Sequence, residues 1–241
     1  MIEWRDEAFV LSARAHGEVA AVVQLLTRDH GRHAGLVPGG QGRRMRPVLQ
    51  PGNAVAVQWR ARLREHLGTL ALELTRGHAG RFLQDYARLE ALASAAAIAE
   101  STLPEREPQP GAYEGFAALL EALSEPAWAE AYVQWELLML QAVGFGLDLT
   151  RCAAGGDNDQ LAYVSPRSGR AVSFAAGEAY RDRLLPLPGF LLGRSSGGAA
   201  EVGQGLRLTG YFLEKHIFHP QNRALPAARL RLAQRFASKG A

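Results

Sequence analysis

The chain has 241 residues, 47% of them hydrophobic and 21% charged, with a formal net charge of +3 at pH 7. That composition excludes global disorder and predicts a buried core, in one large domain or two modest ones. A single cysteine, Cys152, excludes an internal disulfide and a thiolate-based zinc cage, and agrees with a reducing compartment.

Residues 2–75 read as strands. Residues 7–12 are an extended run, residues 16–18 a turn, residues 19–26 a valine-rich apolar run and residues 34–37 a third strand. Residues 53–59 alternate with period two, placing Val55, Val57 and Trp59 on one face; residues 69–74 alternate with Leu70, Leu72 and Leu74 inward. Short strands punctuated by turns predict a small closed or half-closed barrel, of the five-stranded oligonucleotide-binding (OB) type or of the SH3-like type. Between the third and fourth strands, Pro38-Gly39-Gly40 and Pro47 forbid a helix, so Arg43, Arg44 and Arg46 are expected on a mobile loop with no nearby acid.

After the break at residues 77–80, a helix is expected over residues 81–102, with Phe82, Tyr86, Leu89, Ala93 and Ala96 at steps of three and four. A proline-rich connection precedes a second helix at residues 113–123. A third helix, apolar on most of its circumference, carries Trp128, Tyr132, Trp135, Leu138 and Ala142 and belongs at the centre of an all-α core. Residues 148–175 form a loop-rich insert with a β-hairpin. Short helices follow at about residues 177–184, 199–218 and 225–236. The most apolar window, residues 91–99, is too short and too alanine-rich to cross a bilayer, and the first seven residues show no signal-peptide pattern; a cytoplasmic protein that does not engage membranes is expected.

The motifs of catalysis are absent or miscast. Gly193-Arg194-Ser195-Ser196-Gly197 fits G-x-S-x-G, but no aspartate follows Asp182 and the surroundings are helical. Gly203-Gln204-Gly205 begins a dinucleotide fingerprint whose next glycine, Gly210, comes two residues late. His216 and His219 lack a carboxylate at metal-site spacing. No enzymatic activity, cofactor or metal is expected.

Arginine carries the remaining signal. Of 27 basic residues, all but Lys215 and Lys239 are arginine. Coding bias produces such usage, but a planar fork also binds phosphate bidentately. Arg60, Arg62 and Arg64 alternate just past Trp59, so an extended backbone would put all three on one face, beside the loop arginines. Arginines also guard sheet edges; two triplets flanking one strand favour a polyanion, with Trp59 and Phe9 as possible stacking platforms. No acidic residue follows Glu214, whereas Lys215, Arg223, Arg229, Arg231, Arg235 and Lys239 do, which reads as a basic tail open to DNA or to an acidic partner.

The ordered series F-V-L-S at Phe9, H-G-E at His16, L-L-T-R at Leu25, H-G-R-H-A-G-L-V at His30 and G-G-x-x-R-R-x-R-P-x-L-Q-P-G from Gly39 resembles the RecO recombination-mediator family. The resemblance is strong over residues 1–75 and weaker through the rest. It implies an α+β protein of two domains, an OB barrel at residues 1–78 and a helical domain at residues 80–241 holding the insert. It implies binding of single- and double-stranded DNA, strand annealing, and loading of recombinase onto strands coated with single-strand-binding protein. The implied partners are RecR and the acidic C-terminal tail of single-strand-binding protein, in a nucleoid-associated setting. Candidate DNA contacts are Arg32, His33, Arg43, Arg44, Arg46, Arg60, Arg62 and Arg64. Some members carry a four-cysteine zinc site; here Cys152 matches its first position, Gly155 stands at the second, and the region near Ser173 lacks the later pair, so zinc is not expected. An RNA-binding or ribosome-associated barrel, or a protein-interaction scaffold, is the competing reading.

Overall fold

The structure is a computed structural model that describes residues 1–237; Lys239 of the basic tail lies outside the described residues. The chain folds as two compact units, Met1–Leu120 and a second beginning at Glu121.

In the first unit, β1 (Ile2–His16), β2 (Ala20–Thr27), β3 (Arg32–Val37), β4 (Ala54–Ala61) and β5 (Thr69–Arg76) close into a barrel in the order β1-β2-β3-β5-β4. The long β1 makes closure possible. Its first half pairs antiparallel with β4, Ile2 opposite Ala61 through Phe9 opposite Ala54, and its second half pairs with β2. An irregularity between Val10 and Ser12 bends the strand where it changes partner. The seam between β3 and β5 is parallel, through Leu36 and Thr69. This Greek-key closure is the OB arrangement and decides against the SH3-like alternative.

Val23, Leu25, Val55, Val57, Trp59 and Leu70 fill the interior together with Leu49; the face that carries Val55, Val57 and Trp59 is the inner one, and Leu70 is inward as expected. Burying each such aliphatic side chain fully contributes about 1.5–3 kcal/mol. The expectation for β5 holds only at its start. Leu72 is half-buried and Leu74 is 41% exposed, because β3 meets β5 only at Thr69 and leaves the far part of the strand uncovered. Trp59 and Phe9 are core residues, 1% and 6% exposed, and not open platforms.

Helix α1 (Tyr86–Thr102) begins where the Asp85 carboxylate accepts from the Ala87 and Arg88 N–H groups, supplying two of the donors a helix start leaves unpaired. It packs on β1 and β2 through Ala91, Leu92, Ala95, Ile98 and Ala99. The expected stripe through Tyr86 is wrong: Tyr86 is exposed, and so many alanines lie on every face that spacing could not single out the buried one. Helix α2 (Pro110–Ala122) sets Tyr113 and Phe116 against Phe9, ring centroids 5.0 and 5.4 Å apart.

The second unit is built on α3 (Trp128–Ala142), α5 (Ala199–Leu213) and α6 (Ala227–Ala237), with α5 continuing through a π-helical turn at Glu214–Phe218. The expected hairpin, β6 (Leu161–Val164) and β7 (Ala171–Ser173), gains a third strand, β8 (Leu185–Pro186), in the order β7-β6-β8, and the single turn α4 (Phe174–Gly177) follows it. At the centre of the helices lies an ion pair. Arg229 from α6 donates to both carboxylate oxygens of Glu136 on α3, to the Leu206 carbonyl and to Thr209 Oγ1; Tyr132 and Thr209 hydroxyls donate to the same carboxylate. Neither charged side chain is more than 1% exposed. Arg229 therefore leaves the expected basic tail. Lys215 is also engaged, its ammonium donating to the Pro166 carbonyl at 2.5 Å.

Candidate nucleic-acid interface

The loop between β3 and β4 keeps its arginines outside by fixing everything beneath them. Gln41 donates to the Gly17 and Ala20 carbonyls, both at 2.9 Å, tying the start of the loop to the β1–β2 turn. Consecutive turns follow, with Met45 N–H on the Gly42 carbonyl and Leu49 N–H on the Met45 carbonyl, both at 3.0 Å. Leu49 then enters the barrel core, and Asn53 closes the loop by donating to the Pro47 carbonyl at 2.7 Å. This is an anchored cap on one end of the barrel, in place of the mobile loop expected. Arg43, Arg44 and Arg46 are exposed on it, and none has an ion pair among the described residues. Arg46 is oriented by donating from Nε to the Gln41 carbonyl at 3.2 Å. It borders a groove of about 460 Å³ that also reaches Arg14 and Gln50.

The second arginine triplet does not form one face. Strand β4 ends at Ala61, so the alternation expected of Arg60, Arg62 and Arg64 stops at the first of them. Arg60 pairs with Glu3 across the β1–β4 ladder, Nε to Oε2 2.9 Å, and that guanidinium draws the Glu3 carboxyl below its usual pKa. Arg62 and Arg64 lie exposed on the following turn with no ion pair among the described residues.

Arg32 and His33, adjacent on β3 and so on opposite faces of it, are both engaged within the protein. Arg32 donates from Nε to the Leu103 carbonyl at 2.9 Å and from Nη1 to Gln24 Oε1 at 3.0 Å. His33 is 4% exposed, with Nδ1 3.0 Å from the Ala34 carbonyl, and burial lowers its pKa and keeps the ring neutral. These two position the barrel wall; the exposed guanidiniums are elsewhere.

At the end of the barrel where β1 begins, four rings gather. Trp4 stacks on His30 at 4.1 Å and 9°, lies 5.6 Å from Trp59, which it faces across the β1–β4 ladder, and meets the edge of His33 at 5.0 Å. They line a cavity of about 400 Å³ whose charged neighbours are Arg64, Arg106, Glu3 and Asp29. Its walls are tied together tightly. Trp59 Nε1 donates to the Leu67 carbonyl at 2.9 Å, and Arg106 donates to the Arg64 and His66 carbonyls. Gly68, at φ +68°, lies where a Cβ would come 2.3 Å from Trp59 Nε1; Gly31, also at +68°, lies where one would come 2.0 Å from the Glu107 carbonyl oxygen. Trp4, His30 and Arg106 escaped the sequence reading. The available signal was the pair of tryptophans at the start of one strand and the end of another, which is legible only once register is known.

In the second unit, Cys152 Sγ accepts from the Ser173 N–H at 3.3 Å and lies 3.5 Å from Ser173 Oγ. Burial would raise the thiol pKa, but the Ser173 hydroxyl and N–H, with the N–H groups of Ala154 and Gly156, outweigh it and lower the pKa to about 7. One thiol and one hydroxyl are not a zinc donor set, and among the described residues no group of three or more His, Cys, Asp or Glu could hold a metal ion. Among those residues, too, no helix is long and apolar enough to cross a membrane.

Comparison with known proteins gives one answer for both units. A family model described as "Recombination protein O N terminal" matches residues 1–77, and one described as "Recombination protein O C terminal" matches residues 83–225. A curated relative named "DNA repair protein RecO" from Rhodospirillum centenum is 61% identical over 237 residues, covering 98% of this chain and 95% of its own. Relatives of the same name from Rhodospirillum rubrum and Methylobacterium nodulans are each 53% identical, covering 98% and 95% of this chain, and 96% and 95% of their own. Matched over both units and nearly its whole length, this chain belongs to the RecO family of DNA repair proteins.

Proposed function

We propose that the protein is a recombination mediator that binds single- and double-stranded DNA, anneals complementary strands, and helps load recombinase onto strands coated with single-strand-binding protein. It works by holding strands and proteins and not by bond chemistry. RecR and the acidic tail of single-strand-binding protein are its partners in this reading, at the nucleoid. The barrel takes DNA and the helical unit serves protein contacts.

One observation supports the reading most: Arg43, Arg44 and Arg46 stand exposed on an anchored cap, with no acid paired to them among the described residues. A guanidinium already neutralised by a carboxylate offers a phosphate little, and one on a slack loop loses entropy on binding. These three have neither handicap. Arg62 and Arg64 extend the set at the other end of the barrel, Arg60 contributes less because Glu3 holds it, and Arg32 and His33 act by shaping the wall. Neutralising phosphates on two strands at once lowers the repulsion that opposes annealing.

The test is annealing of complementary oligonucleotides coated with single-strand-binding protein, with the wild type and with Arg43, Arg44 and Arg46 all changed to alanine. Acceleration by the wild type and its loss in the variant are expected. Equal acceleration by both would remove the loop from the site. Preference for RNA over DNA of one sequence would favour the ribosome-associated alternative.

A further inference from the structure

Arginines on the cap account for contacts with phosphate, which every sequence and every duplex shares. The cavity at the other end of β1 has a different chemistry. Its open ring is His30, which is stacked flat on Trp4, with the buried Trp59 and His33 packed against Trp4, and the space of about 400 Å³ that they line has Arg64 and Arg106 at its rim together with the acids Glu3 and Asp29. Three features distinguish it from an ordinary plug of core aromatics.

First, its outer ring is held in place and yet open. His30 Nδ1 lies 2.9 Å from Asp6 Oδ2, a carboxylate only 3% exposed, while the His30 side chain is 33% exposed. The same Asp6 oxygen accepts from the Asp29 N–H at 2.9 Å, so the whole β2–β3 turn is set by one carboxylate. Second, the rim is built at the expense of local comfort. Arg106 has φ +61°, which non-glycine residues seldom adopt, and its buried Nε has no hydrogen-bond partner, the Glu105 carboxylate being 3.6 Å away. Third, Arg64 at the mouth has no partner for its guanidinium among the described residues. Flat rings below and a free cation above suit a flat, uncharged heterocycle joined to a phosphate.

We propose that this cavity receives one unpaired base of a DNA strand, stacked on the partly exposed His30 ring that Trp4 backs, with Arg64 on the adjoining phosphate. The proposal rests on the reading of the barrel as a DNA-binding unit and adds a specificity to it. A base inside a duplex has both faces covered and its edge occupied, so it cannot enter; the cavity therefore gives the protein a preference for unpaired strands that phosphate contacts cannot give. Trp4 and Arg14 are ten residues apart on β1, about 30 Å of strand, so the base site and the cap groove would hold separate parts of a bound strand.

The experiment compares affinity of the full-length protein for an oligothymidylate and for a strand of the same length made wholly of abasic units, at one salt concentration. Stacking of this kind makes the base-bearing strand bind about fivefold to a hundredfold more tightly. His30→Ala and Trp4→Leu are each expected to bring that ratio close to one; should Trp4→Leu lose the β-barrel signature in circular dichroism, His30→Ala, whose ring is partly exposed, decides alone. A wild-type ratio near one, or a ratio unchanged in His30→Ala, overturns the base site. Salt dependence of both strands is measured alongside: a steep slope with a ratio near one sinks the base site and leaves the phosphate reading standing, whereas no binding of either strand sinks both.

Discussion

Arg44 and Arg229 are the same side chain put to opposite uses in the two units. Around Arg44 the chain fixes backbone and apolar neighbours, through Gln41, Leu49 and Asn53, and among the described residues pairs no carboxylate with the guanidinium. Around Arg229 it supplies a carboxylate, a carbonyl and a hydroxyl, and removes water. The difference teaches that an arginine's role is set by what acid the fold brings to it, and not by its place in a basic stretch. In the linear chain Arg229 belongs to a run without acids; Glu136, its partner, lies on a different helix.

The contrast is broken most directly at the buried end. Arg229→Ala should destabilise the protein by about 3–5 kcal/mol in urea denaturation, because Glu136 would be left charged without a partner. Replacing both, Glu136→Leu with Arg229→Met, should come out near neutral or stabilising, as apolar packing replaces a desolvated pair. If the single change proves harmless, the pair does not hold the helices together. At the exposed end, the alanine triple variant at Arg43, Arg44 and Arg46 should keep its stability and flatten the log–log salt dependence of single-strand binding by about two units; an unchanged slope would mean that these groups touch no phosphate. Arg60→Ala tests the intermediate case. Its pair with Glu3 is about half exposed on both sides, so solvent screening should leave stability close to that of the wild type, with a slope change smaller than that of the triple variant.

One further effect concerns a buried charge of the other sign. The Cys152 pKa is depressed from an ordinary 9.0 to about 7 in the folded protein. The stability it contributes is present in full above pH 9 and is lost as pH falls through about 7. Denaturation midpoints of the wild type should therefore rise modestly across that interval, and Cys152→Ser should abolish the rise.

Much of this was legible from residues alone. Period-two alternation put Val55, Val57 and Trp59 on one face and Leu70 inward, and Pro38-Gly39-Gly40 located the arginine loop, though not its anchoring. What the chain concealed were relations across it. The face of α1 was hidden because alanine looks alike on every side. Trp4 and Trp59 become neighbours only through register, and the hydrogen bond that Arg32 donates to the Leu103 carbonyl shows only in the fold. The turn after Ala61 broke the alternation that made Arg60, Arg62 and Arg64 seem one face.

The strap formed by residues 103–107 bears on how the barrel can be handled in isolation. The Arg106 N–H bonds the Arg32 carbonyl at 2.7 Å, Glu105 bridges Arg32, and Glu107 fills the space that Gly31 leaves open. A fragment cut after β5 would lose this brace and bare the hydrogen-bonding edge of β3, inviting self-association at the exposed strand. One extended through Leu120 would retain it, so the piece that stays monomeric in isolation is longer than the five strands that define the barrel.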